Sequence, residues 1–173
     1  MSPILYHHAL SPASRTALLT IRNVDLDEYE VKNIEMTADQ NSVDYHNPLR
    51  QVPVYVDDDF ILTESRAIAC FLASSVQKFY PTDLKQRALV DSRLFYDATN
   101  SSIKDFVLPV LYGGAKKISK ERREAIKDLL KTIESFLMKS KWIAGDEVTI
   151  ADFSYLANVA TIKVIFVYKI VNA

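Results

Sequence analysis

The sequence predicts an α/β layer followed by an all-α bundle, and three observations carry that prediction. Two strand-like runs, Ile4 to His8 and Glu28 to Glu35, bracket a helix signal at the start of the chain. A second pair of short strand-like runs, closed by an apolar helix, follows before residue 80. From residue 84 onward the apolar spacing is helical, so strands and long helices are segregated along the chain.

The elements follow in order. Ile4 to His8 is short and apolar, and Glu28 to Glu35 alternates apolar with polar positions. Between them Pro12 suits the first helical position after Ser11, and Ala17, Leu18, Ile21 and Val24 follow at helical spacing. A strand, helix, strand unit of this length predicts a right-handed crossover with parallel strands. A loop with a short helix comes next. Val52 to Val56 and Phe60 to Thr63 then flank Asp57-Asp58-Asp59, a hairpin turn signal. Residues 64 to 76 are apolar around most of a helix, which predicts burial on more than one side.

Around Tyr80-Pro81-Thr82-Asp83 the pattern changes, giving domains at 1–80 and 84–173. Leu84 to Tyr112 reads as a helix carrying Leu94, Phe95, Ala98, Phe106 and Val110, bent near Pro109 and ended by Gly113-Gly114. Ser119 caps the next helix, whose apolar stripe is Ile126, Leu129, Leu130, Ile133, Phe136 and Leu137. Thr149-Ile150-Ala151-Asp152 spells a capping box, with the Thr hydroxyl accepting from the Asp152 N–H, the carboxylate reaching back to the Thr149 N–H, and Val148 stapled to Phe153.

Composition excludes several chemistries. Lys+Arg 21 against Asp+Glu 22 gives a net charge of -1 with no basic run, so nucleic acid and membrane surfaces are not expected partners. Three glycines, Gly113, Gly114 and Gly145, cannot write a dinucleotide fingerprint or a phosphate loop, so no nucleotide is expected. The single cysteine, Cys70, forbids an internal disulfide or a Cys-x-x-Cys pair. His7, His8 and His46 lack metal-ligand spacing, and no metal is expected. With no signal-like N-terminus and no run of roughly 18 apolar residues, a cytoplasmic chain is the simplest expectation.

Three clusters in the first half would meet at one end of the sheet. Ser11-Pro12-Ala13-Ser14-Arg15 opens a helix, where N–H groups and a partial positive charge suit an anion. Arg50-Gln51-Val52-Pro53-Val54 enters a strand through a proline, which suits an edge or a cis turn and offers Val52 backbone groups to an added peptide strand. Thr63-Glu64-Ser65-Arg66 opens a second helix with a carboxylate and a hydroxyl, a fit for both charges of an amino-acid head group. Each has a plainer reading. Ser11 could only cap its helix, Glu64 could only favour its helix dipole, and Cys70 could only pack.

The Ser-Pro followed by Arg15, the Asn47-Pro48 and Val52-Pro53 stretch, Glu64-Ser65-Arg66-Ala67-Ile68, and Ala144-Gly145-Asp146 with the capping box come in an order and spacing that resembles insect delta/epsilon-class glutathione transferases. The resemblance spans residues from about 4 to 162. It implies a thioredoxin-like first domain and a helical second domain. It also implies that Ser11 donates to the glutathione sulfur, with Ser14 and Tyr6 as rival hydroxyls. Glu64 and Ser65 would hold the γ-glutamyl end, Val52 and Pro53 the cysteinyl part, and Arg50 and Arg66 the carboxylates. Pro12, Phe106 and Val110 would line the electrophile site between the first helix and the second domain. The implied protein is a cytoplasmic homodimer that uses glutathione as co-substrate for conjugating hydrophobic electrophiles in xenobiotic detoxification, or for reducing hydroperoxides.

Two features depart from the family. Leu49-Arg50-Gln51 stands where Gln-His-Thr is common, and Ala38 where a histidine is common, so weaker glutathione binding is expected. The family also continues through further helices, whereas here residues 161–173 are β-branched and aromatic, a composition that favours strand. This is the expected signature of an alternative or unspliced transcript. It would leave the electrophile pocket incomplete, and the alternative function is then a non-catalytic glutathione-binding or dimerising protein.

Overall fold

The computed structural model describes residues 2–35, 51–100 and 118–171, with side chains described as far as Ile165 in the last helix. The chain divides into two compact units, Met1–Thr82 and Asp83–Ala173. The expected short helix after residue 35, the bend at Pro109 and the Gly113-Gly114 stop lie outside the described residues.

The first unit holds strands β1 (Ile4–His7), β2 (Glu30–Asn33), β3 (Val54–Asp57) and β4 (Phe60–Thr63), with helices α1 (Pro12–Asn23) and α2 (Ser65–Ser75). The sheet order is β2-β1-β3-β4. β1 and β2 are parallel, as the crossover predicts, and the other two pairings are antiparallel. The β3–β4 turn uses Asp58 at φ 49°, a left-handed conformation that aspartate tolerates because its short side chain can bond locally. β3 starts at Val54, two residues later than expected, and it lies between β1 and β4. Pro53 therefore precedes an internal strand and is not on an edge; the Val52-Pro53 bond is cis.

Period-2 alternation divides β1 between two cores. Tyr6 packs with Ile34, Val52 and Val54, with Ile4 and Val56 against them. Leu5 and His7 point to the other face, where α1 buries Ser14, Thr16, Ala17, Thr20 and Ile21 and packs against α2. The two buried threonines are satisfied along their own helix: Thr16 Oγ1 donates to the Pro12 carbonyl at 3.2 Å and Thr20 Oγ1 to the Thr16 carbonyl at 2.9 Å. Helix α2 buries Ile68, Ala69, Leu72 and Ala73, but Ala67 and Phe71 are exposed. Its burial is one-sided within this chain, which corrects the expectation from its apolar circumference.

The second unit contains α3 (Leu84–Asn100), α4 (Lys120–Leu137) and α5 (Ile150–Val171). Asp83 Oδ1 accepts from the Lys85 and Gln86 N–H groups and caps α3, while Ser119 Oγ accepts from Arg122 N–H at 3.3 Å and caps α4 as predicted. The α4 stripe is narrower than expected: Ile126, Leu129 and Ile133 are buried, but Leu130 and Leu137 are exposed. On α3 the buried positions are Val90, Leu94 and Asp97, and Phe95 faces solvent. Asp97 is sealed by two donors from α5, Ser154 Oγ at 2.6 Å and Asn158 Nδ2 at 2.7 Å. Arg93 ties the unit together, its guanidinium 3.8 Å from the Phe136 ring centre and its Nε donating to the Ile143 carbonyl.

The capping box forms with one bond reversed. Asp152 Oδ2 accepts from the Thr149 N–H at 2.8 Å, but the Thr149 hydroxyl donates to that carboxylate at 3.1 Å instead of accepting from the Asp152 N–H. Asp152 Oδ1 also accepts from the Ile143 N–H at 2.9 Å. Thr149→Ala removes only the hydroxyl bond and keeps both backbone bonds, so a loss of about 1 kcal/mol is expected in chemical denaturation. From this cap α5 runs for 22 residues and carries the tail to Val171 as helix, not strand. Ile162 and Ile165 are buried, and this packing overrides the local β preference. Among the described residues no helix is long and apolar enough to cross a membrane.

Candidate functional site

Strand register brings the three clusters to one end of the sheet. Tyr6 pairs with Val54, and Val54 with Thr63, near the C-terminal ends of β1 and β4 and at the start of β3. β1 and β4 therefore point the same way, and the helices that follow them both begin at that end. Ser11 at the start of α1, Val52-Pro53 before β3 and Glu64-Ser65-Arg66 at the start of α2 thus converge without any long-range coincidence.

Ser11 is the N-cap of α1, with an extended backbone and Pro12 at the first helical position. Its Oγ accepts from the Ser14 N–H at 3.2 Å. That bond uses an oxygen lone pair, so the hydroxyl hydrogen is available to a ligand and the capping and donor roles are compatible. The rival hydroxyls are placed elsewhere. Ser14 is fully buried on the sheet-facing side of α1, and Tyr6 belongs to the core on the opposite sheet face. Arg15, half-buried beside them, has its pKa pulled down by burial.

At the start of α2 the N-cap is Glu64, exposed, with φ 66° and ψ 109°, and its side chain makes no capping bond. A non-glycine residue in this region is strained by roughly 1–3 kcal/mol and persists only where its surroundings hold it. The carboxylate is thereby held out from the helix end while Ser65, buried, occupies the first helical turn. Glu64→Gly should relieve the strain, leaving the unfolding midpoint unchanged or raised by up to a few degrees. A thermal melt of the variant beside the parent reads the change.

Of the remaining predicted positions, Val52 is buried in the Tyr6 cluster, Pro12 and Arg66 are partly buried, and Arg50, Phe106 and Val110 lie outside the described residues. Cys70 is half-buried on α2. Among the described residues no group of three or more His, Cys, Asp or Glu side chains could hold a metal. His7, which sequence spacing ruled out only as a metal ligand, ends β1 buried under α1, and burial pulls its pKa below the ordinary value of 6.5.

Residues 1–74 match the family profile described as Glutathione S-transferase, N-terminal domain, and residues 104–172 match Glutathione S-transferase, C-terminal domain. Glutathione S-transferase 1 of Manduca sexta is 32% identical over 171 residues, covering 94% of this chain and 78% of that protein. The chain belongs to the glutathione S-transferase family. Its solved neighbours include a glutathione transferase homolog from Drosophila mojavensis with bound glutathione, at TM-score 0.85 and 32% identity, covering 92% of this chain and 76% of that one. A delta-class glutathione transferase from Nilaparvata lugens superimposes at TM-score 0.86 and 31% identity, covering 93% and 78%. This transferase therefore has the thioredoxin-like sheet and helical unit that the resemblance implied, and it is an enzyme of glutathione chemistry.

Proposed function

We propose that this transferase joins the thiolate of glutathione to hydrophobic electrophiles in detoxification, and that the same thiolate reduces organic hydroperoxides. The observation that carries the reading is the register Tyr6–Val54–Thr63, which gathers Ser11, Val52 and Glu64-Ser65-Arg66 at two helix starts. Such an end suits a ligand with one anion for each helix and a peptide between them. Glutathione has that form. In this reading Glu64 takes the γ-glutamyl ammonium and Ser65 with the α2 N-terminus takes its carboxylate. Val52 and Pro53 take the cysteinyl part, and Arg50 and Arg66 lie toward the carboxylates.

Ser11 is the catalytic hydroxyl. A thiol with a pKa of about 8.5 is mostly protonated at neutral pH, and a hydroxyl donating to its anion at a helix N-terminus lowers that value. The sulfur lone pair then forms the new carbon–sulfur bond as the electrophile releases its leaving group. Pro12, with Phe106 and Val110, is assigned to the electrophile side. We assign residues 1–80 to the glutathione-binding domain and 84–173 to the helical domain. The exposed apolar trio Phe60, Ile61 and Phe71 supports a homodimer, and the family relationship a cytoplasmic setting.

Retention on immobilised glutathione, followed by turnover of an aromatic halide, tests the reading. Ser11→Ala should sharply reduce turnover and Tyr6→Phe should not, and the opposite pattern would refute the assignment. Binding without any turnover in the unaltered chain would favour the non-catalytic alternative.

A further inference from the structure

Two polar atoms sealed under the first turn of α1 have no part in the reading above. His7, the last residue of β1, is 7% exposed, and its Nδ1 has no hydrogen-bond partner. Ser14, the third residue of α1, is 0% exposed, and its Oγ has none either. Buried polar atoms are nearly always satisfied, and an orphan is a signal that something holds it there. These two are chemically complementary. A neutral imidazole has one donor and one acceptor nitrogen, and a serine hydroxyl can meet either through one enclosed water.

The pair is joined to the reacting end by Ser14. Its backbone lies against the His7 ring, and its N–H donates to Ser11 Oγ at 3.2 Å. We infer that His7 is a positioning residue for the reaction, locking with Ser14 the first helical turn that aims the Ser11 hydroxyl at the sulfur. Burial lowers the His7 pKa, with His8, Arg22 and Arg15 acting in the same direction against the Ser14 backbone, which favours the neutral ring beneath the helix end. The inference rests on Ser11 as the sulfur donor. It predicts that losing the lock affects the sulfur and not the grip on the peptide.

The test titrates the ultraviolet absorbance of bound glutathione thiolate and, separately, measures the Kd for S-methylglutathione in the full chain. His7→Leu and Ser14→Ala should each raise the bound-thiol pKa by about half a unit, with the Kd for S-methylglutathione held within about twofold. The double variant should raise it no further than one change alone, since both break the same lock. His7→Gln, which keeps a donor and an acceptor, should return toward the parent value. A folded Ser14→Ala chain with an unchanged thiol pKa overturns the proposal, and it suffices if His7→Leu does not fold. Additive shifts, or a Kd that weakens in step with the pKa, overturn it as well. Ser11→Ala separates the two levels: if it leaves the thiol pKa unmoved, the donor reading itself fails, whereas a shift with Ser11→Ala alone defeats only the role of His7.

Discussion

Ser11→Asp should keep the fold and lose the reaction. Aspartate is as good an N-cap as serine and its charge favours a helix N-terminus, so unfolding free energy should stay within about 0.5 kcal/mol of the parent. Yet an ionised carboxylate only accepts hydrogen bonds, and it repels a thiolate. Turnover should fall on the order of a hundredfold or more, the usual cost of removing one donor to a developing anion. Ser11→Ala confounds the two effects, because it removes the Ser14 N–H acceptor along with the donor. Equal loss of stability and turnover in the aspartate variant would mean that the residue only caps.

The second large effect is structural. Asp152→Ala should cost about 3–5 kcal/mol in denaturant titrations, a large share of the 5–15 kcal/mol that keeps a typical domain folded. The carboxylate receives three donors, the N–H groups of Thr149 and Ile143 and the Thr149 hydroxyl, all buried. Alanine leaves the two backbone donors without acceptors and opens the start of α5 and the segment behind it together. A loss near 1 kcal/mol would mean that the motif is only a local cap.

These predictions draw on both legible and hidden parts of the chain. The parallel crossover could be read because period-2 runs around a 12-residue helix have few right-handed solutions, whereas the internal place of β3 could not. The capping motifs at Ser119 and Thr149 were visible for a similar reason, since residue type and spacing determine them locally. At the candidate site, the sequence marks Ser11 and Ser14 alike as hydroxyls near a helix start. Only burial separates them, and burial depends on which side of α1 meets the sheet. Glu64 gives no sign of its positive φ, because glutamate is not a residue that seeks that region. Asp97 is hidden for the opposite reason: a carboxylate in a helix reads as solvent-facing until partners four residues apart on another helix, Ser154 and Asn158, are seen to enclose it. The tail misleads through composition, since burial of Ile162 and Ile165 outweighs β preference.

The sheet order has a consequence for how the chain acquires its shape on the ribosome. β1 lies between β2 and β3, so during synthesis it waits until residue 57 has emerged before both of its flanks can be covered. Until then its apolar sides are open to chaperones or to neighbouring nascent chains. Within this sheet the return of the β3–β4 hairpin to β1 is the non-local closure, and it is expected to be slower than formation of either helix beside it.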